Sequence, residues 1–300
     1  MDKILRTITS DGSLMASAID STDLVYTAQR LHGLSKTATA ALGRLLTGAS
    51  LMGAMLKETD ATLTLKVAGG GPLGNLVALA DSRGNVRGYV DHPEADLPLK
   101  PNGKLDVGGA VGREGRLAVI RDFGNGKPYV GQVELLSGEI AEDITEYYAV
   151  SEQVPTVCAL GVLVNKETGE AMLSGGLLIQ VLPGADDKAV SRLEENVGKL
   201  ESITTMLAKG MTVEEICRKA LDGFEVEVLD QFQVNYVCNC SKERFSNAML
   251  TLGAKEIREL PLNEQGQAEA VCHYCNRKYY FTREELDVLA RQAEESARKK

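Results

Sequence analysis

Four cysteines near the end of the chain constrain this sequence more than any other feature. Cys238-Asn239-Cys240 is separated by 31 residues from Cys272-His273-Tyr274-Cys275. Four thiolates complete a tetrahedral Zn²⁺ shell, and a Cys-x-x-Cys turn is a common way to present two of them. The Cys-x-Cys half is less usual. In an extended segment both of its side chains point to one face, because strand side chains alternate. Such a pair serves one metal, yet it also holds two sulfurs close enough to oxidise, and a bridge across so short a loop is strained and readily reduced again. Lys242, Arg244, Arg277 and Lys278 flank the pairs, and positive charge favours the thiolate form. His273 is a rival donor, read as an exposed knuckle residue because four sulfurs already fill the shell. Spacing alone leaves two readings open: a structural zinc staple, or a redox-active zinc centre with Cys238, Cys240, Cys272 and Cys275 as ligands. Both imply one Zn²⁺ per chain. The other two cysteines, Cys158 in a strand-like run and Cys217 on an apolar helix stripe, read as small core residues.

Clustered cysteines mean metal or redox chemistry most often in a reducing compartment. The start of the chain, Met1-Asp2-Lys3-Ile4-Leu5-Arg6, has no basic stretch followed by an apolar one, so a cytoplasmic location is expected. No run approaches the roughly 20 apolar residues that span a bilayer. With 33 Lys+Arg against 42 Asp+Glu the net charge is −9. Trp is absent and aromatics are 5%, and the cysteine-bearing end is nearly balanced in charge. Nucleic acid and anionic lipid are therefore not expected partners.

At 300 residues, 44% hydrophobic and 25% charged, the chain suits a globular protein of about two domains. Residues 1–182 read as an α+β domain with a largely antiparallel sheet and packed helices. Ile4–Thr9 and Ser13–Ala18 form a hairpin about Asp11-Gly12. Ser21-Thr22-Asp23 caps a helix ending near Gly33. A second helix, about Thr37 to Leu56, is rich in Ala and Gly, and its interior glycines must be compensated by burial. Strands follow at about 62–67, 76–80, 86–90, 117–121, 129–135, 157–164 and 171–181, with a short helix near 140–150. Residues 183–231 read as an acidic helical linker. Val190, Leu193, Val197 and Leu200 form one stripe, and Thr212-Val213-Glu214-Glu215 opens a helix with a capping box. These stripes are too small for an independent core and must dock on something else. Residues 232–300 read as the small four-cysteine zinc domain. It holds a helix at 242–252, a two-stranded ribbon near 268–281, and a last helix capped by Thr282-Arg283-Glu284-Glu285 that fades into Arg298-Lys299-Lys300.

Other motifs carry less. Gly69-Gly70-Gly71-Pro72-Leu73-Gly74 has the glycines of a phosphate cradle but lies between strands and opens no helix, so it reads as a bend. His32 and His92 have no nucleophile signature near them.

Several of these segments resemble one family, the bacterial 33 kDa chaperonins, which are redox-regulated heat-shock holdases. The resemblance covers essentially the whole chain. It is carried weakly by Thr37-Ala38-Thr39-Ala40-Ala41-Leu42-Gly43-Arg44, the Gly69–Gly74 run and Ser151-Glu152-Gln153-Val154-Pro155, and specifically by Cys238-Asn239-Cys240-Ser241 and Cys272-His273-Tyr274-Cys275. It implies a non-enzymatic, ATP-independent chaperone that is inactive while reduced and zinc-bound. Oxidation would form two disulfides, release zinc, and unfold the zinc domain and linker. Unfolding proteins would be its clients, and the active form would be a homodimer. Within that picture, sulfurs close in sequence need the least chain ordering to meet, which assigns Cys238–Cys240 and Cys272–Cys275. The alternatives are a structural zinc-ribbon binding module and a thiol-disulfide oxidoreductase built on Cys272 and Cys275. Balanced charge disfavours the first, and the lack of a thioredoxin-like βαβ context the second.

Overall fold

A computed structural model describes residues 2–124 and 126–298. The chain forms two compact units, residues 1–237 and 238–300. Of the expected charged tail, Lys299 and Lys300 lie outside the described residues.

The first unit opens with strands β1 (Lys3–Thr9) and β2 (Leu14–Asp20), paired as the expected hairpin. Helices α1 (Thr22–His32) and α2 (Lys36–Gly53) follow. Next come β3 (Thr62–Ala68), β4 (Asn75–Asp81), β5 (Val86–Val90), the one-turn α3 (Val107–Val111), β6 (Arg116–Asp122) and β7 (Tyr129–Glu134). Helix α4 (Ala141–Tyr147) runs into a π-turn at Tyr148–Glu152, and β8 (Thr156–Val164) and β9 (Ala171–Val181) complete the expected strands. Helices α5 (Asp187–Gly198), α6 (Ile203–Ala208) and α7 (Val213–Ala220) lead to a last strand, β10 (Val226–Gln233). The strands form two antiparallel sheets, β10-β1-β2-β9-β8 and β5-β4-β3-β6-β7.

Helix α2 lies in the core, touching strands of both sheets, and almost all of it is buried. Its small residues make that possible. A Cβ on Gly53 would stand 2.6 Å from Ala80 Cβ and 2.7 Å from the Asp81 carbonyl oxygen, so only glycine lets the helix end against β4. Here burial offsets the roughly 1 kcal/mol helix cost of a glycine.

The cap on α1 differs from expectation. Ser21 occupies the N-cap position, but its hydroxyl is taken into a buried cluster with Thr47 at 2.8 Å and Ser174 at 2.9 Å. The carboxylate of Asp2 accepts from the N–H groups of Asp23 at 2.9 Å and Leu24 at 2.6 Å instead. The Gly69–Gly74 run is a bend, braced by hydrogen bonds from Gly71 N–H to Val111 O and Leu73 N–H to Ala110 O.

The helical stretch docks as its narrow stripes require. Leu193, Ile203, Met206, Val213, Ile216, Cys217 and Leu221 form one buried cluster with Leu5, Leu14, Ala16, Ala18, Leu177 and Ile179 of β1, β2 and β9. Strand β10 was not foreseen. It sits at a sheet edge, mostly exposed, and pairs with β1. Its alternation is broken at Leu229, where the register with β1 shifts between Arg6 and Thr7, and its charged Glu227 and Asp230 suit an edge strand because charge deters further pairing. Asp230 is bound by Arg6 through two hydrogen bonds of 2.8 and 2.6 Å. Residues 234–237 continue along the same unit: Val234 N–H donates to Asp2 O and Val237 N–H to Val86 O. The second unit therefore begins at Cys238.

That unit contains α8 (Lys242–Met249), α9 (Ala254–Arg258), the ribbon β11 (Gln267–Val271) and β12 (Lys278–Thr282), and α10 (Arg283–Arg298). Its core is small, centred on Ile257, Phe281, Leu286 and Ala290. Thr282 and Glu285 cap α10 reciprocally, as expected: Thr282 N–H donates to Glu285 Oε2 and Glu285 N–H to Thr282 Oγ1.

Candidate metal centre

The two halves of the cysteine pattern are presented differently. Cys272 and Cys275 occupy the turn between β11 and β12. Cys272 N–H donates to Arg277 O, while the N–H groups of Cys275 and Asn276 both donate to Cys272 O. Asn276 closes this knuckle at φ 55°, a left-handed conformation that Asn tolerates better than most residues. Cys238 and Cys240 lie in irregular chain just before α8, whose N-cap Ser241 accepts from Arg244 N–H.

The four sulfurs converge. All lie within 4.8 Å of one another, with Cys238 and Cys272 at 3.7 Å and Cys240 and Cys275 at 3.4 Å. A Zn–S bond of about 2.3 Å implies a tetrahedron with sulfur–sulfur edges of about 3.8 Å. The residues present thus fit a tetrahedral thiolate-bound ion. Every cysteine is a free thiol. Cys272 is buried and the other three are half-buried, while His273 is exposed, as read from the sequence.

Proton affinity is uneven across the cluster. At Cys240 burial opposes ionisation, but the Tyr279 hydroxyl, donating at 3.1 Å, and the neighbouring thiols outweigh it and bring the group down to about 7. At Cys275 burial leads, and hydrogen bonds with the other cysteines add to it, pushing the thiol up to about 12. Burial also raises Cys238. Such a set titrates as a unit, with the thiolate favoured most at Cys240. The flanking cations differ: Arg277 interacts with Tyr279 and electrostatically with Cys240 and Cys275, whereas the two lysines are paired with acids. Lys242 is paired with Glu285 at 2.6 Å and Lys278 with Glu269 at 3.0 Å. The group that touches a sulfur is Tyr279, which the sequence reading missed. Alternation along β12 puts Tyr279 on the same side as the core residue Phe281, but nothing local marks it as a partner of Cys240.

Cys158 and Cys217 stand apart from the centre. Burial pushes both thiols up to about 12, and each packs against a hydrophobic core.

The fold and the site together define an α+β protein with a separate unit whose four clustered thiols could hold a metal ion. The family model described as Hsp33 protein matches residues 2–282, and the chain belongs to that family. The 33 kDa chaperonins of Bacillus licheniformis and Bacillus subtilis are each 46% identical to it, over 96% and 97% of this chain and 99% of their own. The crystal structure of the 33 kDa chaperonin (heat shock protein 33 homolog) of Thermotoga maritima superposes with a TM-score of 0.88 at 35% identity, covering 98% of this chain and 99% of that one. These names denote chaperones, a non-enzymatic role. Among the described residues no helix is long and apolar enough to cross a membrane.

Proposed function

We propose that the protein is a cytoplasmic, ATP-independent holdase switched on by oxidation. The observation that carries this reading is the cluster of four reduced sulfurs within 4.8 Å of one another, in a unit with little other core. Zn²⁺ held by Cys238, Cys240, Cys272 and Cys275 would cross-link the start of the second unit to its β11–β12 turn, supplying ~10–16 kcal/mol in small zinc peptides, against ~5–15 kcal/mol for a whole domain's stability. Each disulfide removes two electrons from a thiolate pair, and one peroxide accepts them with two protons to give two waters. Pairing Cys238 with Cys240 and Cys272 with Cys275 withdraws all four donors. The folded cluster brings Cys238 to 3.7 Å from Cys272 and Cys240 to 3.4 Å from Cys275, but once the unit loosens during oxidation loop closure would decide among pairings, and the shortest loops close most easily.

In functional terms we divide the chain at 1–182, 183–231 and 232–300: sheet domain, releasable cover and redox unit. Loss of order after Cys238 would reach the cover through β10, which is continuous with it. Freed helices α5 to α7 would expose their own apolar faces and the strand residues beneath them, such as Leu5, Leu14, Leu177 and Ile179. An apolar patch of that kind binds unfolding clients and favours self-association as a homodimer. Nucleic acid, membrane and substrate turnover have no part in the scheme. Light scattering of a heat-unfolding client tests it. Peroxide-treated protein should suppress aggregation and reduced protein should not; equal activity in the two states, or none in either, would refute the switch.

A further inference from the structure

A cavity of about 980 Å³ in the first unit lies between α2, β8 and the loop that precedes α3, and no cysteine lines it. Its charge runs against that of the molecule. Lys36, Arg44, Lys100, Lys104, Arg113 and Lys166 face it, with Asp96, Glu139 and Glu142 as the acids, in a chain of net charge −9. Arg44 and Lys100 are bound to Glu139 at 2.6 and 2.5 Å, and the Lys36 ammonium donates to the Lys166 carbonyl oxygen. Lys104, Arg113 and Lys166 have no carboxylate partner among the described residues, and the Arg44 Nε–H is buried there without an acceptor. Between the cations the lining is apolar, with Leu97, Leu105, Leu160 and Val162, and with Leu99 and Leu163 at 54% and 39% exposure.

Two elements set the shape of a ligand. Helix α2 contributes Lys36, Ala40 and Arg44 at four-residue steps along one face, so the two cations are about 12 Å apart along its axis. Opposite it, the consecutive residues Leu160 to Val164 of β8 line the cavity. β8 is the last strand of its sheet and pairs only with β9, which leaves one row of its backbone donors and acceptors open to pairing. Four residues of extended chain span about 13 Å, which matches the spacing of the cations.

The geometry points to a peptide-binding cleft: an extended segment, acidic at positions i and i+4 and apolar between, adds as a strand to the free edge of β8. Its carboxylates meet the cations at either end and its apolar side chains cover the leucines. An aliphatic anion would satisfy the charges and the floor but not the strand edge. The site lies wholly in the first unit, so it is present while the four thiols are reduced, and it does not depend on the redox reading.

Fluorescence anisotropy on the reduced, full-length protein tests this with a labelled peptide, Gly-Glu-Leu-Val-Leu-Glu-Gly. Saturable binding is expected, weakened about tenfold when the exposed Lys104 and Lys166 are both changed to Glu. A peptide with Lys in place of both Glu should bind no better than background. N-methylation of alternate peptide amides, which removes strand donors from one edge, should also abolish binding. Circular dichroism on the K104E/K166E variant confirms its fold. Absence of saturable binding overturns the proposal. So does equal binding of the N-methylated peptide, or full displacement by dodecanoate of a peptide indifferent to methylation, because each removes the strand-pairing that distinguishes this cleft.

Discussion

The two units of this molecule reach order by different means. In residues 1–237 a nearly all-buried helix is held between sheets by close packing, and a second hydrophobic layer seals the other face of β1, β2 and β9. In residues 238–300 a few side chains around Phe281 and Ile257 make the core, and the start of the unit is gathered to the β11–β12 turn at four sulfurs. A large core loses stability in increments as single contacts are removed. A small unit organised on a metal loses it all together when the donors are changed. Under the proposed function, that contrast would suit the second unit to chemical control and the sheets of the first to surviving it.

The largest effect expected follows from removing the donors. Changing Cys238, Cys240, Cys272 and Cys275 together to Ser should abolish metal binding, unfold the second unit and release 183–231, leaving β1 to β9 folded. Zinc content by elemental analysis and far-ultraviolet circular dichroism check both. Retained zinc would break the site assignment, and a folded second unit would break the contrast. The reciprocal experiment places the lesion in the first unit. Ile216→Ala, on the buried face of the cover helix α7, should cost about 2–5 kcal/mol, and Gly53→Ala, whose Cβ meets backbone that cannot yield, about 1–3 kcal/mol. Urea titrations read these losses, while metal content stays at wild-type level in both variants. Loss of metal in either would show the units are not independent in stability.

The smallest effect is a slope in pH. Burial raises Asp2 from 3.8 to about 6, against the hydrogen bonds from the Asp23 and Leu24 N–H groups. A carboxyl group that binds its proton more tightly when folded contributes stability below its ordinary value and loses that contribution as pH climbs through about 6. The urea midpoint of wild type, compared with Asp2→Asn, should fall between pH 4 and 6.5, and a difference that is flat across this range would contradict the burial argument.

What the sequence made legible was local. Cys-x-Cys and Cys-x-x-Cys announce their chemistry by spacing, and Thr282 and Glu285 announce a helix start by a reciprocal cap three residues long. The small residues of α2 signalled burial, although its place between two sheets is set by strands far away in the chain. Three features stayed hidden because their partners are remote or their pattern is polar. Asp2 caps α1 from 21 residues away, β10 is an edge strand whose broken alternation and charges mask it, and Tyr279 reaches Cys240 across 39 residues.

Hydrogen exchange on reduced and peroxide-oxidised full-length protein tests the central claim most directly, with client aggregation followed on the same samples. Oxidation should strip amide protection from 183–231 and from 238–298, leave it intact in β1 to β9, and switch on suppression of aggregation. Full protection beyond residue 183 in zinc-free, oxidised protein that still suppresses aggregation would contradict the account, as would loss of protection there without any chaperone activity.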